Sequence, residues 1–287
     1  MTIHHRFLWV LLVVLVALGA GPAEAQQEAK RAISKIAGDL YRFQNNFHYS
    51  VFLVTPDGVI ATDPIDAEAA NWLKKEIAKR FGKPVKYLIY SHDHADHSSG
   101  GEVFADTAVV VAHANARRTI LGEKRPTAVP EVTFTDRMTI TLGGKIVELH
   151  YLGRSHSDNM IVMRFPAERT LFAVDFISVK RLPYMALSDA YFPDWIEAIK
   201  RVETMDFDIL APGHGPLGSK ADASDHRRYF EDLYAAVLAA ARAGQSLDQM
   251  KQSITLEKYS GWGRYKEWRP LNIEGMARQI DLHRRGN

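Results

Sequence analysis

The chain contains no cysteine. No disulfide braces it, and no thiolate is available to a metal, so any bound metal must be held through nitrogen and oxygen. A charge excess is also missing: 36 Lys and Arg stand against 34 Asp and Glu, for a formal net charge of +2. Nucleic-acid binders show a strongly basic face, and doublets such as Arg117-Arg118 and Arg227-Arg228 read instead as solvated helix faces. Residues 26–287 hold no low-complexity run and no clear linker. Nowhere does an apolar run reach the roughly 20 residues of a membrane-spanning helix.

The longest such run, Phe7 to Leu18, has twelve residues. Arg6 precedes it and Ala23-Glu24-Ala25 follows, which is the pattern of a cleaved secretory signal peptide. We therefore expect residues 1–25 to be an export leader cut after Ala25, leaving 262 residues (287 − 25). The mature chain is then periplasmic or secreted, without stable membrane insertion. Its 46% hydrophobic residues supply an ample core for one domain. A helical C-terminal extension is expected from about residue 219.

What the sequence does have is concentrated at residues 92–97, His92-Asp93-His94-Ala95-Asp96-His97. Imidazoles and carboxylates at this density suit zinc and similar borderline metals. His92 and His94 are two apart, so in extended chain their side chains leave on the same side. A zincin pair sits four apart on a helix, so this cluster belongs to a loop or strand end. Asp96 and His97 are adjacent and point elsewhere, which suggests two metals.

Period-2 patterning predicts strands at 51–54 and 59–62 around the turn Pro56-Asp57-Gly58. A helix is expected over 67–80, closed by Gly82, and a strand over 85–90 leads into the cluster. A short helix near 102–105, a strand at 108–112 and a helix at 115–121 follow. Hairpins are expected at 134–141 with 145–151, and at 160–165 with 170–174. A helix at 193–205, a strand at 207–210 and two or three final helices complete the chain, the clearest over 221–243. This mixture predicts an α/β (α+β) protein of two packed mixed sheets with helices on both outer faces. His92, His156, Asp175 and His214 all fall just beyond predicted strand ends, where ligand sites on such scaffolds gather.

Five motifs occur in order: Val59-Ile60-Ala61-Thr62-Asp63, the 92–97 cluster, Gly153-Arg154-Ser155-His156-Ser157, Leu171-Phe172-Ala173-Val174-Asp175 and Pro212-Gly213-His214-Gly215. Together they resemble the metallo-β-lactamase superfamily, over roughly residues 38–218. The resemblance implies a four-layer αββα sandwich. It also implies that His92, His94 and His156 bind a first metal and Asp96, His97 and His214 a second. Asp175 would bridge the two, and Asp63 would support the ligands from behind. The cofactor implied is two zinc ions per chain, with iron or manganese as substitutes. His113, His150, His226 and His283 read as core or surface residues, and Ser98 and Ser99 as loop-turn residues.

The chemistry implied is hydrolysis of a small-molecule ester, thioester, lactone or β-lactam by a hydroxide shared between the metals, with Asp96 as the catalytic carboxylate. His48, Tyr184, Tyr191 and Trp195 are candidate substrate-binding residues, and Lys180 and Arg181 candidate partners of a substrate carboxylate. Asp175 stands where familiar zinc β-lactamases carry Cys or Ser, which argues for a broader hydrolase. A metallo-β-lactamase proper is the alternative. Further alternatives are a mononuclear iron dioxygenase of sulfur compounds and a non-catalytic periplasmic metal-binding accessory protein. Oligomeric state is not readable from the sequence.

Overall fold

The structure is a computed structural model that describes residues 29–283; the expected signal segment lies outside the described residues. A seven-stranded sheet runs in spatial order β1 (Arg31–Ala37), β2 (Leu40–Asn45), β3 (His48–Thr55), β4 (Gly58–Thr62), β5 (Val85–Ile89), β6 (Val109–His113) and β7 (Val132–Phe134). Its first four strands pair antiparallel, and β4 to β7 pair parallel. The second sheet has six strands. In spatial order these are β13 (Gly218–Ser219), β12 (Ile209–Ala211), β11 (Thr170–Phe172), β10 (Ile161–Phe165), β9 (Lys145–Tyr151) and β8 (Arg137–Leu142).

Alternation along the strands builds the layers. In β3, Val51 and Leu53 face the second sheet, where they meet Val147, Leu149, Ile161 and Met163. Phe52 faces the opposite way, onto Leu73 and Ile77 of α1 (Ala67–Phe81). The second sheet's outer face, Val162 and Leu171, packs against α4 (Asp194–Thr204), α5 (Lys220–Arg242) and α7 (Tyr265–Leu282). The result is the four-layer αββα sandwich of mixed sheets. Between α4 and α7, α6 (Leu247–Ser253) completes the C-terminal helices; α2 (Ala95–Ser98) and α3 (Ala114–Gly122) lie on the first sheet's side.

Helix α1 ends where expected, because Gly82 adopts the left-handed conformation at φ 64° and its N–H caps Ala78 O. The expected strand over 134–141 needs correction. Phe134 closes β7 in the first sheet, the chain crosses at Thr135-Asp136, and β8 begins the second sheet at Arg137. One patterned run thus serves two sheets. Strands β1 and β2 were not anticipated, and the helix near 102–105 is a short 3-10 turn over Gly101–Phe104.

Candidate metal centre

The site collects at the ends of β4, β5, β9, β11 and β12, and each segment delivers side chains for a local reason. Beyond β5, Ser91 donates its backbone N–H to Asp63 Oδ1 and its hydroxyl to Asp63 Oδ2, both at 2.7 Å. Because that hydroxyl proton is committed to Asp63, Ser91 Oγ accepts from His92 Nδ1 at 2.9 Å. His92 Nε2 is therefore the lone-pair atom, and it is buried without a hydrogen-bond partner. His97 differs: its Nδ1 makes no hydrogen bond among the described residues and lies 3.4 Å from Asp63 Oδ2, an ion-pair distance, while Nε2 turns to the centre, 3.3 Å from Asp175 Oδ2. On the opposite wall, His214 Nδ1 meets the carbonyl of Phe47 at 3.1 Å, which likewise frees its Nε2.

Two sets of donors result. His92, His94, His156 and Asp175 form one, and Asp96, His97, Asp175 and His214 the other, with the ligand atoms of each set within 4.8 Å of one another. His94 Nδ1 is 3.0 Å from His156 Nε2, and His97 Nε2 is 3.3 Å from His214 Nε2. Donors at roughly 2.0–2.1 Å from a tetrahedral zinc sit about 3.3 Å from each other. Asp175 joins the sets, with Oδ2 at 3.6 Å from His156 and 3.3 Å from His97, and Oδ1 at 3.2 Å from His214. An orphaned buried lone pair, converging imidazoles and an all N/O donor set fit one or two borderline divalent metals.

Electrostatics agree with this packing. Burial and the neighbouring imidazoles of His94, His97 and His156 hold His92 well below its ordinary pKa. Burial also lowers His156, to about 4, against the pull of Asp175. Burial would raise Asp175, but His97 and His214 outweigh it and hold that carboxyl well below its usual range. Asp96 is held at about 2, because His48 and His97 overcome its burial. Both carboxylates are therefore charged and available to a cation.

The sequence-expected residues separate cleanly in space. His92, His94, Asp96, His97, His156, Asp175, His214 and Asp63 come together. Asp93, although inside the cluster, points away and is tied to Arg125 at 3.1 Å and Asn159 at 2.8 Å. His48 touches the site, with Nε2 3.4 Å from Asp96 Oδ2. Tyr191 lines a groove of about 460 Å³ beside His94, together with Asp189, Arg125, Asp158 and His283. Tyr184 is 64% exposed and lies edge-on to Trp268. Trp195 lines nothing: it is 2% exposed, donates to Phe176 O at 3.0 Å and packs behind His156. Ser98 caps the cluster's own carbonyls, as a turn residue does.

Several supporting residues carried no sequence signal. Asp189 Oδ2 stands 3.6 Å from His94 Nε2. Arg42 is buried and donates to Pro212 O at 2.9 Å and Gly215 O at 2.6 Å, bracketing the loop that carries His214. Asn272 of α7 donates to Pro183 O at 3.0 Å and Met185 O at 2.6 Å, and so anchors the 177–192 loop that rims the site.

The metallo-β-lactamase superfamily profile matches residues 44–214, a span that contains every histidine and aspartate of the two candidate ligand sets. The chain belongs to this superfamily. Among its relatives is the 2,4-dinitroanisole O-demethylase subunit alpha of Nocardioides sp. (strain JS1661), 26% identical over 267 residues, covering 88% of this chain and 81% of that protein. A metallo-beta-lactamase type 2 of Elizabethkingia meningoseptica is 27% identical over 208 residues, covering 68% and 82%. A solved metallo-beta-lactamase from Pontibacter korlensis superposes with a TM-score of 0.63 at 22% identity, covering 70% of this chain and 99% of its own. The DIM-1 metallo-beta-lactamase gives 0.63 at 18%, covering 71% and 99%. These solved structures share the αββα fold.

Proposed function

We propose that this superfamily member is an exported hydrolase that holds two zinc ions and cleaves a small-molecule ester, thioester, lactone or β-lactam. The observation that carries the reading is the pair of four-donor sets sharing Asp175. Zinc bound by such donors polarises a carbonyl and lowers the pKa of water toward about 7. His92, His94 and His156 would hold one ion and Asp96, His97 and His214 the other, with Asp175 between them.

The remaining roles belong to the chain. Asp96 has the cluster's more open carboxylate, 46% exposed, and it faces His48 and His214. It is placed to orient a water and accept its proton. A group held at about 2 is a weak proton store, so orientation is its larger contribution. Asp63 and Ser91 fix the ring positions of His92 and His97, which limits the reorganisation the site needs during reaction. The groove beside His94 leaves room for the substrate.

The test is a panel of nitrocefin, a lactone and a thioester, run on zinc-loaded wild type and Asp96→Asn, with metal analysis of the purified protein. We expect about two zinc per chain, turnover of at least one substrate, and a loss of roughly 10²–10⁴-fold in Asp96→Asn. Identical background rates across the panel would overturn the hydrolase reading and favour the accessory role. About one iron with negligible zinc would favour the dioxygenase. A second reading, cleavage of an activated aryl ether, is supported by the O-demethylase relative, which aligns with most of this chain. Release of yellow 2,4-dinitrophenolate from 2,4-dinitroanisole checks it.

A further inference from the structure

The groove of about 460 Å³ beside His94 is within the size range of small-molecule sites, about 300–1,000 Å³. His94 belongs both to this groove and to a donor set, so groove and metal centre are continuous. Four carboxylates line the groove, those of Asp93, Glu123, Asp158 and Asp189, against the single guanidinium of Arg125. Arg125 is already committed, to Asp93 at 3.1 Å and to Glu123 at 2.8 Å. Of the cations just outside, Arg118 meets Asp158 at 3.5 Å, and Arg154, over the Tyr191 ring, is taken by Asp194 at 2.6 Å. Asp189 meets no Lys or Arg among the described residues. Its Oδ2 lies 3.6 Å from His94 Nε2, beyond hydrogen-bond reach. The groove therefore keeps an excess of negative charge, centred on Asp189.

Gln279, near the end of α7, also lines the groove. It is 7% exposed, yet among the described residues its side-chain amide makes no hydrogen bond. A primary amide carries two N–H donors and an accepting oxygen. Buried groups of this kind nearly always have a partner, because leaving them unpaired is unfavourable. This amide borders the groove, where a ligand or solvent supplies what the protein does not. The two observations are independent, since one concerns charge on the rim loop and the other an unpaired dipole on α7. Leu282, 70% exposed, and Tyr191 add apolar surface to the same walls.

We propose that this groove receives an arm of the substrate that ends in an ammonium group, held by the carboxylate of Asp189 and the side-chain oxygen of Gln279. An ammonium has three N–H donors and no acceptor, which matches a carboxylate and an amide oxygen, while Leu282 and Tyr191 cover its aliphatic stem. Gln279 and Leu282 lie beyond residue 214, where the superfamily profile ends. The preference is therefore a property of the C-terminal helix and not of the shared motifs.

The assignment deepens the proposed hydrolase reading by naming a substrate class for the same site, and its test needs no turnover. The probes are 6-aminohexanohydroxamate and heptanohydroxamate, chains of equal length in which an ammonium replaces a methyl group; the hydroxamate is a zinc ligand. Binding of each is measured by calorimetry on the zinc-loaded full chain, for wild type, Asp189→Asn and Gln279→Leu, with zinc content checked in all three. We expect wild type to prefer the amino probe at least tenfold. Each variant should lose most of that preference while still binding the methyl probe, and raising salt from 50 to 500 mM should weaken only the amino probe. Asp189 is 58% exposed, so its variant reports even if Gln279→Leu unfolds. Equal binding of the probes by wild type, a preference for the methyl probe, binding of neither, or a preference that survives both substitutions overturns the assignment. Turnover of the substrate panel without this preference would overturn it alone, and a failed panel with the preference intact would overturn the hydrolase reading alone.

Discussion

Replacing Arg42 by Met should weaken metal binding in one half of the candidate centre and spare the other. Arg42 sits on β2, is 7% exposed, and stacks its guanidinium on Tyr49 at 3.7 Å. It donates to the carbonyls of Pro212 and Gly215 on either side of His214, while Tyr49 N–H holds Gly213 O at 2.8 Å. Burial lowers its pKa to about 10, so it remains a cation at neutral pH. Hydrogen bonds from a charged donor contribute about 1.5–3 kcal/mol each, and deleting the donor leaves two carbonyls short. Part of that loss is offset, because Met also removes a buried charge that has, among the described residues, no carboxylate partner and no acceptor for its Nε. We expect a net destabilisation of about 2–4 kcal/mol. His214 would then be held less firmly, and loss of an outer partner of this kind typically costs 10–100-fold in metal affinity. The set built on His92, His94 and His156 has no contact with this loop through Arg42. Competitive zinc titration against a chelating indicator should show two sites in wild type and, in Arg42→Met, one site unchanged and one weakened. Arg42→Lys, which keeps the charge but not the two-pronged geometry, should fall between. Equal weakening of both sites, or no weakening, would refute the reasoning. A wild type that takes up a single equivalent would refute the two-metal reading instead.

Three further outcomes are expected. Removing metal with EDTA should lower the melting temperature, since a ligand at 100 times its Kd adds about 2.7 kcal/mol to folding; an unchanged transition after verified metal loss contradicts this. Gly213→Ala places a Cβ 2.6 Å from Val174 Cγ1 and 3.0 Å from His97 Cε1. It should cost about 1–3 kcal/mol and reduce occupancy of the Asp96–His97–His214 set, and a fully loaded variant would show that the loop has room to give. His226 is 1% exposed, both its ring nitrogens lack hydrogen-bond partners among the described residues, and burial lowers its pKa to about 3. The unfolded chain takes up this proton below about 6.5 while the folded chain does not, so stability falls as pH drops from there toward 3, by up to roughly 1.4 kcal/mol per pH unit. Denaturant unfolding of wild type and His226→Phe should diverge over that window in favour of Phe, and parallel curves would count against a neutral buried imidazole.

How much of this centre was legible in the residues depended on whether a function is carried locally or by packing. The clustering of these histidines and aspartates was legible because they follow strand ends within a few residues, in short polar runs where neither sheet period nor core packing explains a histidine. Some strand and helix ends were readable for the same reason, since turn chemistry at Pro56-Asp57-Gly58 and the left-handed Gly82 that closes α1 are local facts. The passage of the chain from one sheet to the other at Thr135-Asp136 leaves no local mark, because β7 and β8 share one continuous pattern. Arg42 was invisible for a different reason. It reaches residues 170 and 173 positions away, and its purpose exists only once β2 lies beside the His214 loop. Arg181 shows the boundary most clearly. In the sequence it shares a basic doublet with Lys180, yet the fold gives Lys180 two aspartates and Arg181 an indole and a second arginine, with no ion pair among the described residues. Chemistry held by adjacent residues can be read before folding, whereas the surroundings of this rim depend on α7, whose Asn272 donates to Pro183 O and Met185 O about 90 positions away in the chain.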